Sequence, residues 1–435
     1  MNPLFSIIKT LLFSLFLAAS YAVYALPPLL HAPSLDISIN GLEVTASWTS
    51  VEGATGYQLF YAPCSNINAI NNIEMGTQTH YAVTLSTGAA FYVALQAYNH
   101  QGNSNYSNLE QFGCVQAFPE TVETIPPMCR ATPQGIINLP TDEMYHNEPV
   151  EWWYWTGHLQ TAEGRRFGFE QVVFLVRMLG RTMQMAHHAI TDIENGTFHY
   201  IVTTQFAEPA PQVAGFNWNI KGLTAKGRSG TDYLHGEVDH YVMDLKLQAT
   251  KPAVFQHGNG YTQYSFGGDT YYYSYERMAA EGTLKVGEQT FTVTGNGWFD
   301  HQWGNLTPII NLGWDWFAIQ LDDNREIMLF NANTPDKDNQ ELFVGGSYTD
   351  AQCQVREIHP DQIDITPLGK WTSPHTDCTY PQGWQIQVGE LNLTLTPIMA
   401  DQELTGGGRN YWEGAATVSG DATGQAYIEL ANYCQ

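Results

Sequence analysis

Trp298-Phe299-Asp300-His301-Gln302-Trp303-Gly304, followed closely by Gly313-Trp314-Asp315-Trp316-Phe317, places acids, an imidazole and several indoles in one short span. A similar cluster comes earlier, at Glu148-Pro149-Val150-Glu151-Trp152-Trp153-Tyr154-Trp155. Tryptophan is large, and its N–H needs a partner when buried. Two Trp-rich, acid-bearing segments suggest the walls of an apolar cavity holding a few polar groups, the usual composition of a small-molecule site. If these segments are strands, successive side chains face opposite ways. His301 and Trp303 then share one face, and Asp300 and Gln302 the other.

The rest of the chain agrees with strands. Aromatic residues make up 13% of the 435, which favours sheet over helix. No long helical stripe is visible, and turn signals such as Asn195-Gly196, Gly258-Asn259-Gly260 and Gly267-Gly268 punctuate the sequence. Strands joined by near-neighbour turns, without alternating helices, predict an all-β chain of antiparallel sandwiches or barrels. Lys and Arg number 18 against 43 acidic residues, a net charge of −25. That balance argues against nucleic acid, whose phosphates need a basic surface.

An apolar run from Leu11 to Ala19 with small residues at Ala22 and Ala25 reads as a signal peptide over residues 1–25, which predicts a periplasmic or secreted protein. Export would allow its six cysteines to form disulfides. The expected pairs are Cys64–Cys114, Cys353–Cys378 and Cys129–Cys434. Residues 31–112 resemble a fibronectin type III module, with Trp48 as its core tryptophan and Phe91 where a corner tyrosine usually stands. Such a module implies a spacer, or an arm for a protein or surface partner. Residues 113–135 read as a linker, 136–275 as a first barrel and 276–435 as a second.

An internal repeat supports two barrels. Trp152-x-Tyr154 leads to Leu159, a turn at Ala162-Glu163-Gly164, Arg166 and Phe169. Trp314-x-Trp316 leads to Leu321, a turn at Asp322-Asp323-Asn324, Arg325 and Phe330. The ordered series from Glu148 to Leu159, Phe167-Gly168-Phe169-Glu170, Ala186-His187-His188-Ala189, Thr294 to Gly304, Gly313 to Asp322, and Tyr411-Trp412-Glu413-Gly414 resembles the AttH/CrtC-like family. That resemblance implies two lipocalin-like antiparallel β-barrels. It also implies water addition to an isoprenoid double bond, as in the carotenoid 1,2-hydratases of the CrtC branch, or the hydrolase activity by which the other branch is labelled.

Hydrating an unactivated C=C needs a proton donor in an apolar pocket and aromatic faces for the cation. The candidate catalytic residues are His301, Asp300, Asp315 and Glu151. The candidate ligand-binding residues are Trp152, Trp153, Tyr154, Trp303, Trp314, Trp316, His187, His188 and Trp412. His301 and Trp303 match the hydratase motif, but Ile327-Met328-Leu329-Phe330-Asn331 lacks the tyrosine and aspartate those enzymes carry on a following strand. No Gly-x-Ser-x-Gly elbow is present. Glu151 is expected to pair with an arginine, Arg177 or Arg277, or to act as an acid. No cofactor and no metal site are expected: His146, Glu148 and Glu151 lack a helix to bring them together. The expected ligand is a long apolar molecule, isoprenoid or lipid, which is either transformed or merely carried.

Overall fold

The computed structural model describes residues 30–434 except 41–42, 64–68, 86–88, 90, 101, 113–134, 179, 210–214, 308–311, 334–340 and 407–409. Strands dominate it, so the all-β expectation holds. The chain divides into two compact units, Met1–Gln116 and Ala117–Gln435.

In the first unit, strands Leu35–Asn40, Glu43–Trp48 and His80–Thr84 form one sheet. A second sheet is built on Gly56–Pro63 and Phe91–Asn99. Trp48, Leu59, Val93 and Leu95 share one buried core, with the alternation in Glu43–Trp48 turning Val44, Ala46 and Trp48 inward.

The second unit contains two nearly closed antiparallel barrels. In the first, the sheet order runs Thr197–Phe206, Arg181–Asp192, Arg166–Met178, Val150–Thr161, Gln289–Asn305, Asp269–Val286, Tyr241–Ala249, Thr231–Val238, Leu223–Arg228, Phe216–Ile220. In the second it runs Val355–Ile358, Glu341–Thr349, Glu326–Asn333, Gly313–Leu321, Gly424–Ala431, Tyr411–Gly420, Leu391–Pro397, Trp384–Val388, Ile363–Pro367. In each barrel the strand that comes first in the chain lies between its successor and the strand that comes last. The repeated Trp-x-aromatic segments occupy that same place, the first strand of each barrel. Position 276, the expected start of the second barrel, lies inside Asp269–Val286. That strand pairs with Gln289–Asn305 in the first sheet, so the change of sheet comes after Asn305.

Both faces of the first strand are buried, because one lines its own barrel and the other faces the neighbouring barrel. Trp153, Trp155 and Leu159 point into the first barrel, while Tyr154 joins Trp298, Trp316, Ala318 and Met328 between the two. Phe317, Ile319, Trp384 and Trp412 fill the second barrel. Gly157 sits where this strand meets Gln289–Asn305: an added Cβ would lie 2.3 Å from the Asn296 carbonyl oxygen and 2.8 Å from Gly297 Cα. Backbone cannot yield as a side-chain tip does. Gly157→Ala is therefore expected to cost about 1–3 kcal/mol, measured by chemical denaturation against wild type.

The disulfide assignment needs correction. Cys378 bonds to Cys434, with their Cα atoms 4.9 Å apart. The residues after the last strand return across the 371–380 hairpin, where Tyr433 packs 5.4 Å from Tyr380. This replaces the expected Cys353–Cys378 and Cys129–Cys434 pairs. The Cys64–Cys114 expectation lies outside the described residues.

Candidate functional site: two buried polar layers on opposite faces of one strand pair

The pairing of Val150–Thr161 with Gln289–Asn305 sets His301 opposite Trp153 and Trp303 opposite Glu151. Alternation then sorts the candidates into separate places.

Inside the first barrel, Glu151 is fully buried and receives two imidazoles on one oxygen. His146 Nδ1 lies 2.8 Å, and His301 Nε2 2.9 Å, from Glu151 Oε1. The backbone N–H of His146 donates to Glu151 Oε2 at 2.7 Å. Trp303 stacks on His146 at 4.0 Å, and Trp153 on His301 at 4.4 Å. The expected arginine partners are engaged elsewhere. Arg177 donates to the carbonyls of His146 and Glu148, and Arg277 pairs with Glu326. Burial pushes the His301 imidazole down to about 4, against the pull of Glu151. Burial also works against a charge on His146, but Glu151 and Asp142 overcome it and raise that imidazole to about 9. His188 also points into this barrel: a Cβ on Gly236 would lie 2.7 Å from its ring.

The opposite face lies between the barrels and carries more acid than aromatic count alone suggests. Tyr154 donates its hydroxyl to Glu413 Oε1, and His187 Nδ1 meets the Tyr411 hydroxyl. Trp314 donates to Glu429 at 3.1 Å, and Trp316 to the Tyr272 hydroxyl at 3.2 Å. Asp300 accepts from Ser274 at 2.5 Å, Tyr272 at 2.8 Å and Trp298 at 2.8 Å. Trp152 and Phe174 form part of the half-buried rim. Several buried polar atoms here have no hydrogen-bond partner: both carboxyl oxygens of Glu170, Glu413 Oε2 and His187 Nε2. A water-sized cavity opens among Thr156, His158, Trp298, Gln320 and Tyr427. Burial, reinforced by the neighbouring Glu429, holds Glu170 and Glu413 far above the usual carboxylate range. Glu429 and Asp300 are pushed by burial to about 7.

The remaining candidates stand apart. Asp315 accepts from the Tyr433 hydroxyl at 2.7 Å in the second barrel, and Trp412 fills that barrel's core while donating to the Ala400 carbonyl at 2.7 Å. The four candidate catalytic residues thus fall in three places, and only His301 and Glu151 touch. Sequence reasoning singled out none of Glu170, Glu413, Glu429, Tyr411 or Tyr427 as a site residue.

The raised carboxyls fix a pH dependence. Above about pH 6.5 histidines that are buried neutral contribute only a small opposing effect, since their unfolded imidazoles are already at least half deprotonated. Glu429, Asp300, Asp315, Glu276 and Asp232, at about 7, and Glu143, at about 8, still hold protons when folded that they lose when unfolded. Burial is the leading cause in each. Their stabilisation is complete below the unfolded carboxylate pKa of about 4 and is lost as pH rises through the folded values. The denaturation midpoint is expected to be lower at pH 8 than at pH 6.5; an increase would contradict these protonation states.

Comparison with known proteins agrees with the double barrel. No curated protein matches the sequence. A putative AttH from Nitrosomonas europaea superposes with a TM-score of 0.64 at 27% identity, covering 70% of this chain and 99% of that one. Kievitone hydratase from Nectria haematococca superposes with a TM-score of 0.58 at 20% identity, covering 71% of this chain and 98% of that one, a likeness of fold. The family described as AttH-like matches residues 130–433. With both barrels inside that match and the two first strands in equivalent places, the chain belongs to the AttH-like family.

Proposed function

We propose that this protein binds an apolar, unsaturated ligand of isoprenoid or lipid type between its two barrels and adds water to it by acid catalysis. The observation that carries this reading is the set of buried, unpartnered polar atoms of Glu170, Glu413 and His187 in an aromatic layer. Buried polar groups are almost always hydrogen-bonded, so such a cluster calls for a ligand or water.

The chemistry follows from the protonation states. A carboxylic acid kept neutral by burial is a proton donor at neutral pH. Glu413 is anchored through Oε1 by Tyr154, which leaves Oε2 to present the proton to the double bond. The aromatic faces of Trp298, Trp314 and Trp316 stabilise the resulting carbocation. Burial holds the His187 imidazole neutral, at about 3. With Nδ1 on Tyr411, its free Nε2 takes a proton from the attacking water. The carbocation gains hydroxide, and the acid pair is reset by passing the proton from His187 back to Glu413 through solvent. The ligand enters by displacing the half-buried rim of Trp152, Phe174, Trp314 and Phe330.

The signal-like N-terminus and the Cys378–Cys434 disulfide support an exported protein. The N-terminal unit serves as its docking arm. The test uses purified protein, isoprenoids with terminal double bonds, and water labelled with oxygen-18, read by mass spectrometry. A product heavier by one labelled water supports the reading. Binding without product would leave a carrier, and neither binding nor product would end the proposal.

A further inference from the structure

The geometry points to a divalent transition-metal site, of the zinc class, inside the first barrel at His146, Glu151 and His301. It lies on the opposite strand face from the inter-barrel layer and does not depend on the hydration reading. One ring nitrogen each of His146 and His301 and a Glu151 oxygen all lie within 4.8 Å of one another. Two imidazoles and one carboxylate form a donor set used at catalytic zinc sites, with a fourth position left open. A tetrahedral ion about 2.1 Å from each donor spaces the donors about 3.4 Å apart. The two separations from Glu151 Oε1 are 2.8 and 2.9 Å and the imidazole nitrogens lie within 4.8 Å of each other, so side-chain adjustment within this cluster would seat the ion.

The surroundings are those of a supported site. Glu151 Oε2 is fixed by the His146 backbone N–H, which leaves Oε1 aimed between the rings. Asp142 Oδ1 stands 3.9 Å behind His146 Nε2, where a second carboxylate orients a ligating histidine. The 146–148 loop is pinned by Arg177 through the carbonyls of His146 and Glu148. Trp303 and Trp153 hold the rings by stacking. The His146 side chain keeps 22% of its surface exposed, and this supplies the access route for the ion. The other donor cluster of this kind among the described residues, Cys378, Glu403 and Cys434, has its sulfurs joined in a disulfide and does not compete while oxidised.

The test titrates metal-stripped protein with Zn(II) against a chromophoric chelator, and with Co(II) by its visible absorption, under non-reducing conditions. One equivalent bound at submicromolar Kd, with the intense visible band of four-coordinate Co(II), is expected. His146→Ala and Glu151→Gln are expected to weaken binding at least 100-fold. Asp142→Asn, in the part-exposed turn Thr141–Glu143 and outside the donor set, is expected to weaken it about 10-fold with the fold intact by circular dichroism. No binding by wild type, or the same affinity in wild type and His146→Ala, overturns the proposal, since the metal would then sit on surface acids.

Discussion

Glu326→Ala is expected to lower the free energy of unfolding of the double barrel by about 3–5 kcal/mol, because it strands the buried Lys251 and the part-buried Arg277. Lys251 Nζ donates to Glu326 Oε2 at 2.6 Å, and Arg277 Nε to Glu326 Oε1. Lys251 also donates to the carbonyls of Asn324, at 2.7 Å, and Asp350, at 3.0 Å; Arg277 reaches the Leu321 carbonyl at 2.9 Å. Both cations belong to the first barrel and all four acceptors to the second, so this cluster fastens one to the other. Burial lifts the Glu326 carboxyl above its usual range even against Arg277 and Lys251, which reports how poorly this place tolerates a lone charge. Every tryptophan except Trp48 lies beyond residue 117, so tryptophan fluorescence during denaturation follows this unit. Replacing all three members by methionine is expected to recover much of the loss, since a packed apolar trio leaves no charge uncompensated. A loss under 1 kcal/mol in Glu326→Ala would mean that water reaches the cluster and screens it.

Glu413→Gln is expected to slow hydration by about 10²–10⁴-fold, the usual contribution of a general acid, while leaving ligand affinity within a few-fold. The amide keeps the shape and still accepts from Tyr154, but it has no acidic proton to give. Steady-state rates with the substrate found in the labelled-water screen, together with a binding titration, separate the two effects. An unchanged rate would move the donor role away from Glu413. A rate and affinity that fall together would mark Glu413 as a binding group alone.

Much of the fold was readable from local pattern. Strand alternation, turn residues and the Trp-x-aromatic repeat required only neighbours in sequence, and they lead to two barrels. The sheet boundary was not readable, because the strand completing the first barrel, Gln289–Asn305, is identified only by its pairing with Val150–Thr161. The same long-range register brings His301 to Glu151 and leaves Arg177 and Arg277 elsewhere. Glu170, Glu413 and Glu429 were missed as site residues for a different reason. Each alternates with inward-facing apolar residues, as a solvent-facing acid on a single barrel would. Only a second barrel against that face turns such an acid into a buried one. A signal was present in the quoted runs Phe167-Gly168-Phe169-Glu170 and Tyr411-Trp412-Glu413-Gly414, where an acid sits beside large aromatic residues. His187 and His188 were separable from sequence, since adjacent strand residues face opposite ways, and they do occupy different sides of their strand.

The pairing of the earliest and latest strands governs how the molecule is made. Val150 pairs with Gly304, and Trp314 with Ala431. Neither barrel can close until nearly its whole length has left the ribosome, so folding is dominated by distant contacts and is slow. A nascent chain halted before Gly424 would carry two bare strand edges in the middle of its second sheet, flanking the gap between Gly313–Leu321 and Tyr411–Gly420. Unpaired edges of that kind recruit other chains. Loss of a short C-terminal tail is therefore an aggregation hazard, where on most folds it would be a tolerated trim.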